Sequence, residues 1–214
     1  MINTEIKTFN NLGYLETKLS ETQLAPLKQE VESIKNSMFF SSKMNSRLAG
    51  NLEHEYSLIQ IKDYLEHLVL PYCYQLDQTI NHIERHVNKL DNVKHVPLYL
   101  GEPWVNFQKK YEFNPPHTHS GVFSFVIWVD IPYSLEQERA NPSTRNSSAK
   151  VPGCFDFIYN SQDGIGNHTI PADKSYNSKM LVFPARTMHC VYPFYTSDEY
   201  RISVSGNFYF KLGQ

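Results

Sequence analysis

The sequence predicts a mainly β protein with N-terminal helices, its strands packed as an antiparallel sandwich or jelly roll. Two observations carry this. From about residue 96, short runs rich in Val, Ile, Phe and Tyr alternate with clusters of Pro, Gly, Asn and Asp. Before it, apolar residues recur every three or four positions, the period of a helix with one buried face. The length, 214 residues, suits one domain. We therefore expect residues 1–95 as a helical segment covering one face of a β core over residues 96–214, the two forming one structural unit.

Taken in order, LAPLKQEVESIKNSM places Leu24, Leu27, Val31 and Ile34 on one helical face. A longer series runs through Leu58, Ile61, Leu65, Leu68, Tyr72, Leu76, Ile80, Ile83 and Val87. Pro71 interrupts it, so a kink or two successive helices is expected there. His54, His67, His82 and His86 fall in this half. His82 and His86, four apart, could share a helix face as metal ligands do, but no third ligand stands nearby and a solvated face is the expected reading. The predicted strands are VPLYL, WVNFQKKYEF, VFSFVIWVDI, CFDFIYN, KMLVFP, HCVYPFY and RISVSGNFYF. In the last of these Ile202, Val204 and Phe208 alternate with polar residues, as in a strand that packs on one face and borders a polar cavity on the other. Two long polar stretches, SLEQERANPSTRNSSAKVPG and SQDGIGNHTIPADKSYN, read as loops, the kind of segment that supplies substrate lids.

Composition narrows the function classes. The net charge of -2 offers no basic excess and disfavours nucleic acid as a partner. Tyr (14) and Phe (13) are abundant enough to wall an aromatic pocket. Cys73, Cys154 and Cys190 form no paired framework, which points to a reducing compartment, and the first residues carry no apolar leader. With no membrane-length apolar run, a cytoplasmic location is expected.

The chemistry concentrates in NPPHTHSG. At the mouth of a strand, His117 and His119 at i and i+2 would turn to one face. His189, opening HCVYPF, is a natural third partner, because strands distant in sequence meet across a jelly roll. Three imidazoles would suit Fe(II), Zn(II) or Cu(II); the plainer reading is a set of hydrogen-bonded strand-end histidines. Arg201 and Ser203 are also i and i+2 on one strand, and a guanidinium fork beside a hydroxyl can receive a carboxylate; a strand-edge arginine paired with a surface acid is the plainer alternative. The order HxH, His, Arg-x-Ser on one scaffold is harder to obtain by chance than either part.

With these residues in place, the chain resembles the Fe(II)/2-oxoglutarate-dependent dioxygenases. WVNFQKKYEFNPPHTHSG, LVFPARTMHCVYPFY, RISVSGN and the upstream LAGNLEHEYSL are similar to a group of uncharacterised oxygenases, many encoded by tailed phages of marine bacteria. The resemblance covers the chain from about residue 47. It implies a double-stranded β-helix (jelly roll) core, a hydroxylase that consumes 2-oxoglutarate and O₂ and releases succinate and CO₂, and, for a phage protein, the host cytoplasm. It implies that His117 and His189 bind Fe(II), that Arg201 with Ser203 holds the far carboxylate of 2-oxoglutarate, and that Asn106 contacts the cosubstrate. Trp104, Gln108, Phe123, Phe125 and Trp128 are further candidates for the site wall or the core.

One departure stands out: His119 occupies the place of the family's carboxylate ligand. His119 as a true ligand, a vacant position, and recruitment of Asp130 or Asp156 are the three options, and the i, i+2 spacing favours His119. Three neutral imidazoles leave Fe(II) at +2 rather than +1, strengthening its hold on an anionic cosubstrate. The competing classes are a three-His, cupin-like metal dioxygenase independent of 2-oxoglutarate and a non-catalytic jelly-roll binding protein. The substrate, organic or protein, is not named by any motif, and the N-terminal helices leave a homodimer open.

Overall fold

In a computed structural model of the chain, residues 4–9, 12–87, 96–161 and 164–211 are described. The first half contains β1 (Thr4–Phe9), β2 (Leu12–Lys18), α1 (Glu21–Asn36), β3 (Glu55–Ser57), α2 (Lys62–Ile80) and α3 (His82–Val87). The second contains β4 (Leu98–Leu100), β5 (Trp104–Gln108), β6 (Asn114–His117), β7 (Phe123–Asp130), α4 (Leu135–Ala140), β8 (Phe155–Ser161), β9 (Gly164–Ile170), β10 (Lys179–Pro184), β11 (Met188–Val191) and β12 (Arg201–Phe210).

The helices form where the spacing placed them. Ser20 and Gln23 cap α1 reciprocally: the Gln23 amide donates to Ser20 Oγ (3.3 Å) and the Ser20 amide to Gln23 Oε1 (2.9 Å). Leu24, Leu27, Val31 and Ile34 are its buried face, as expected. The second series behaves differently from expectation at Pro71. Helix α2 runs through that proline and stops at Asn81, which takes a left-handed φ of 51°. The chain restarts as α3, whose Ile83 amide donates to Asp77 Oδ1 (2.7 Å).

Two antiparallel sheets face each other. The larger runs β1-β2-β10-β7-β12-β5-β3, with β4 also on β12; the smaller runs β6-β11-β8-β9. Helices α1 and α2 pack on the outer face of the larger sheet, where Leu65, Val69 and Cys73 meet Phe107, Ile127, Val204 and Phe208 in one apolar cluster. Trp128, Leu181 and Phe183 on its inner face meet Phe155, Phe157 and Ile170 of the smaller sheet in a second cluster. This is the jelly-roll sandwich that the strand pattern predicts.

The reading of residues 1–95 as helical needs correction. Strands β1, β2 and β3 are woven into the larger sheet, through β2 on β10 and β3 on β5. In β2, Tyr14 joins the inter-sheet cluster while its neighbour Leu15 joins the helix-side cluster. Burial on both faces removes the polar alternation by which a strand is recognised. The second predicted loop is corrected too: GIGNHTI is strand β9, paired with β8 along its length. The other stretch is tethered rather than free, since Glu138 of α4 is fully buried and accepts from the Tyr195 and Thr196 amides (2.9 Å each).

His82 is not on a solvated face either. Its ring packs on Phe123 (5.2 Å) and its Nε2–H donates to the Val122 carbonyl (3.1 Å). Burial, with His86 beside it, lowers its pKa to about 4. A histidine neutral when folded but protonated when unfolded contributes stability above its unfolded pKa of about 6.5, and that contribution is lost as pH falls toward 4. Urea unfolding at pH 7 and pH 5 should therefore show an acid-induced loss that shrinks by about 1–2 kcal/mol in His82→Gln. An unchanged pH 5 loss in that variant would refute the assignment.

Candidate metal and cosubstrate site

Alternation along the central strands decides what faces the space between the sheets. On β12, Ile202 and Val204 turn to the helices, leaving Arg201, Ser203 and Ser205 inward. On β5, Val105 and Phe107 turn outward, leaving Trp104, Asn106 and Gln108 inward. Pairing aligns these into rows. Arg201 lies opposite Gln108, and Glu55, Asn106, Ser203 and Trp128 follow one another across β3, β5, β12 and β7. This inner face forms one wall of an open cavity between the two sheets. Trp104, Asn106, Gln108 and Trp128 line it; Phe125 borders it, but its ring, like that of Phe123, packs in the helix-side core, where it lies 6.2 Å from Phe208.

His117, His119 and His189 meet at that cavity, with one ring nitrogen of each lying within 4.8 Å of the others. Among the described residues no other group of three His, Cys, Asp or Glu is so placed. His117 ends β6 and pairs directly with His189 of β11. His119 lies beyond the strand, where its amide donates to the Ala185 carbonyl (2.9 Å). The expectation that His117 and His119 share one strand is thus replaced by a strand end and a backbone-pinned residue beyond it that converge on one point.

The rings are prepared as ligands. His117 Nδ1–H donates to the Pro115 carbonyl (2.7 Å) and His189 Nδ1–H to the Thr187 carbonyl (2.8 Å). A carbonyl only accepts, so in both rings Nε2 keeps its lone pair free for a metal. Burial lowers the pKa of all three, His119 to about 4 and His189 well below the ordinary value, with the neighbouring imidazoles adding to the effect on His119 and His189. Neutral imidazoles are the metal-binding form. Phe155 stacks on His189 (5.3 Å, 16°) and Trp104 leans on His119 (5.6 Å), fixing two rings by packing.

Neither acid joins the triad. Asp130, at the exposed end of β7, accepts from Asn177 Nδ2 (3.3 Å). Phe155 and Phe157 face the cavity side, so Asp156 between them turns to the other face of the smaller sheet, where Asn167 Nδ2 donates to it (3.5 Å). His119 is the group that completes the set in space.

Arg201 is 2 % exposed and, among the described residues, makes no ion pair. Its Nε and Nη2 both donate to Gln108 Oε1, and Nη1 donates to Tyr133 Oη (2.7 Å) and the Gly153 carbonyl (2.8 Å). Tyr133 Oη in turn donates to Gly153 (2.7 Å). Of five guanidinium N–H groups four are engaged, so a carboxylate meets one Nη2–H and a full positive charge rather than an open fork. A buried cation without a counter-ion calls for an anion. Gln108 is legible as inward-facing by its spacing from Asn106. Tyr133 and Gly153 come from the ends of a long loop and carry no local signal. Glu55, 0 % exposed in the cavity wall, lies within LAGNLEHEYSL, a stretch that carries the resemblance, but no spacing marks it as a site residue.

Comparison with known proteins agrees with this chemistry. Residues 102–207 match a sequence family described as "Putative 2OG-Fe(II) oxygenase". No curated protein matches the sequence. Among solved structures, a Pseudomonas putida prolyl-4-hydroxylase aligns with TM-score 0.56 at 11% identity, over 93% of this chain and 92% of that one. The α-ketoglutarate-dependent epimerase SnoN from nogalamycin biosynthesis aligns with TM-score 0.56 at 18% identity, over 92% and 78%. A second SnoN structure, with Fe3+ and α-ketoglutarate bound, aligns with TM-score 0.54 at 15% identity, over 93% and 79%. At these identities the likeness is one of fold. No described helix is long and apolar enough to cross a membrane.

Proposed function

We propose that this chain, which belongs to the 2OG-Fe(II) oxygenase family and takes Fe(II) and 2-oxoglutarate, hydroxylates a C–H bond of an organic or protein substrate, with His117, His119 and His189 as the iron ligands. The observation that carries this reading is the convergence of three neutral imidazoles, His189 buried and His117 and His119 half-buried, on one point of a cavity that also holds an uncompensated arginine.

The residues present fit both groups. Nε2 of His117 and His189 is held toward the cavity by backbone carbonyls, and His119 supplies the third nitrogen. When bound there, Fe(II) supplies activation of O₂, coupling oxidative loss of CO₂ from 2-oxoglutarate to oxidation of the substrate. Arg201 supplies the charge that neutralises the distal carboxylate, and Ser203 beside it offers a hydroxyl. Gln108, Tyr133 and Gly153 hold the guanidinium in one orientation, so no ordering is required when the cosubstrate arrives. Trp104, Phe155 and Phe183 exclude water from the ligand side. Asn106 also borders the site, but its Nδ2 is turned to Ser203 Oγ (3.4 Å).

The protein, loaded with Fe(II) and screened against candidate substrates, should consume O₂ and form succinate in equal amounts, both strictly dependent on 2-oxoglutarate. O₂ uptake that proceeds equally without 2-oxoglutarate would instead make it a three-histidine dioxygenase of the cupin-like kind.

A further inference from the structure

Glu55 is a buried carboxyl that the iron and cosubstrate reading does not use. It lies in the cavity wall directly opposite Asn106 across the β3–β5 pair, with Asn106 between it and Ser203 in the row. Its Oε2 accepts from Asn45 Nδ2 (3.3 Å), while Oε1 is buried and receives no hydrogen bond. Asn106 Oδ1, in the neighbouring place, is likewise buried without a donor. The chain at Gly50 closes tightly over Glu55, where a Cβ would stand 2.8 Å from Oε1. Burial, helped by the Glu112 carboxylate, raises the Glu55 pKa to about 7.

A buried acceptor left unpaired is costly, so two in adjacent positions on a cavity wall mark a place where donors arrive with a ligand. The cosubstrate cannot supply them, since its keto and carboxylate oxygens are themselves acceptors. A hydroxyl brings one donor. A primary ammonium brings three on a single atom, and its charge matches the carboxylate. Above its pKa of about 7, Glu55 carries the argument before Asn106 does, because the ionised carboxylate offers no donor in either orientation.

We propose that Glu55, together with Asn106 Oδ1, forms a substrate subsite for a primary ammonium group, so that the oxygenase acts on an amine-bearing substrate. The proposal rests on the oxygenase reading above for the reaction, but the subsite is defined by the larger sheet alone. The cavity is then divided by charge, with Arg201 taking the anionic cosubstrate and Glu55 the cationic substrate head.

The test uses n-butylammonium and 1-butanol, which differ at one end only, titrated calorimetrically at pH 8.5 into anaerobic protein holding Fe(II) and 2-oxoglutarate. The wild type should bind n-butylammonium at least tenfold more tightly than 1-butanol, and Glu55→Gln should erase that preference while leaving Fe(II) and 2-oxoglutarate affinities within twofold. Equal binding of the two probes by wild type would overturn the proposal. So would a preference that survives in Glu55→Gln, or a loss of 2-oxoglutarate affinity in its place. The Fe(II) and 2-oxoglutarate isotherms are recorded separately and report on the oxygenase reading by themselves. A second measurement needs no variant: the ¹³C carboxyl resonance of Glu55 in the wild type should move with n-butylammonium and stay still with 1-butanol. A carboxyl resonance indifferent to both would refute the subsite.

Discussion

His189→Ala should lower Fe(II) affinity by more than about 100-fold, since even the outer partners of metal ligands are worth roughly 10–100-fold. His189 is 3 % exposed, pairs with His117 across β11 and β6, and shares a point with His117 and His119. Its Nδ1–H is committed to Thr187, so no other orientation of the ring serves as well. Anaerobic Fe(II) titration measures the loss directly. His119→Ala should lower it by a similar factor. His119→Asp should retain iron while weakening 2-oxoglutarate, because the centre's charge drops by one. Wild-type affinity in His119→Ala would return that position to a vacancy. Wild-type affinity in His189→Ala would remove the metal site altogether.

Arg201→Ala should do the reverse, weakening 2-oxoglutarate by about 100-fold and leaving Fe(II) affinity unchanged. The factor corresponds to about 2.7 kcal/mol, within the roughly 1.5–3 kcal/mol of a hydrogen bond to a charged group. The same substitution strips Gln108 Oε1, Tyr133 Oη and the Gly153 carbonyl of their common donor. A stability loss of about 1–3 kcal/mol should accompany it. Arg201→Lys keeps the charge but not the fork, so it should recover part of the 2-oxoglutarate affinity and little of the stability. Isothermal titration and urea unfolding on the two variants separate these effects. Unaltered 2-oxoglutarate binding in Arg201→Ala would place the carboxylate elsewhere.

Much of this site is legible in the order and spacing of its residues. Arg201 and Ser203 share a face because side chains alternate along every strand, and Asn106 and Gln108 follow by the same rule. Residue type and order single out His117, His119 and His189 as candidates but do not show that they meet. What escapes is everything contributed by a segment whose local signal misleads. Tyr14 and Leu15 are buried on opposite faces, so β2 lacks alternation. The three residues of β3 are too few to show a period, yet they bring Glu55 beside Asn106. Pro71 suggests a helix break that Asn81 provides instead, since a left-handed residue ends a helix more decisively than a proline tolerated within it.

Residue order alone dictates which chemical groups exist and which way neighbours on a strand must point. These are local consequences of backbone geometry. Which groups meet is a property of the folded chain. Folding brought His119 to the same point as His117 and His189, engaged the fork of Arg201 with Gln108, Tyr133 and Gly153, and left Glu55 Oε1 without a donor. Strand register between segments distant along the chain is set by burial on both sheet faces and by the loops that join them, and neither leaves a mark within any one stretch of sequence.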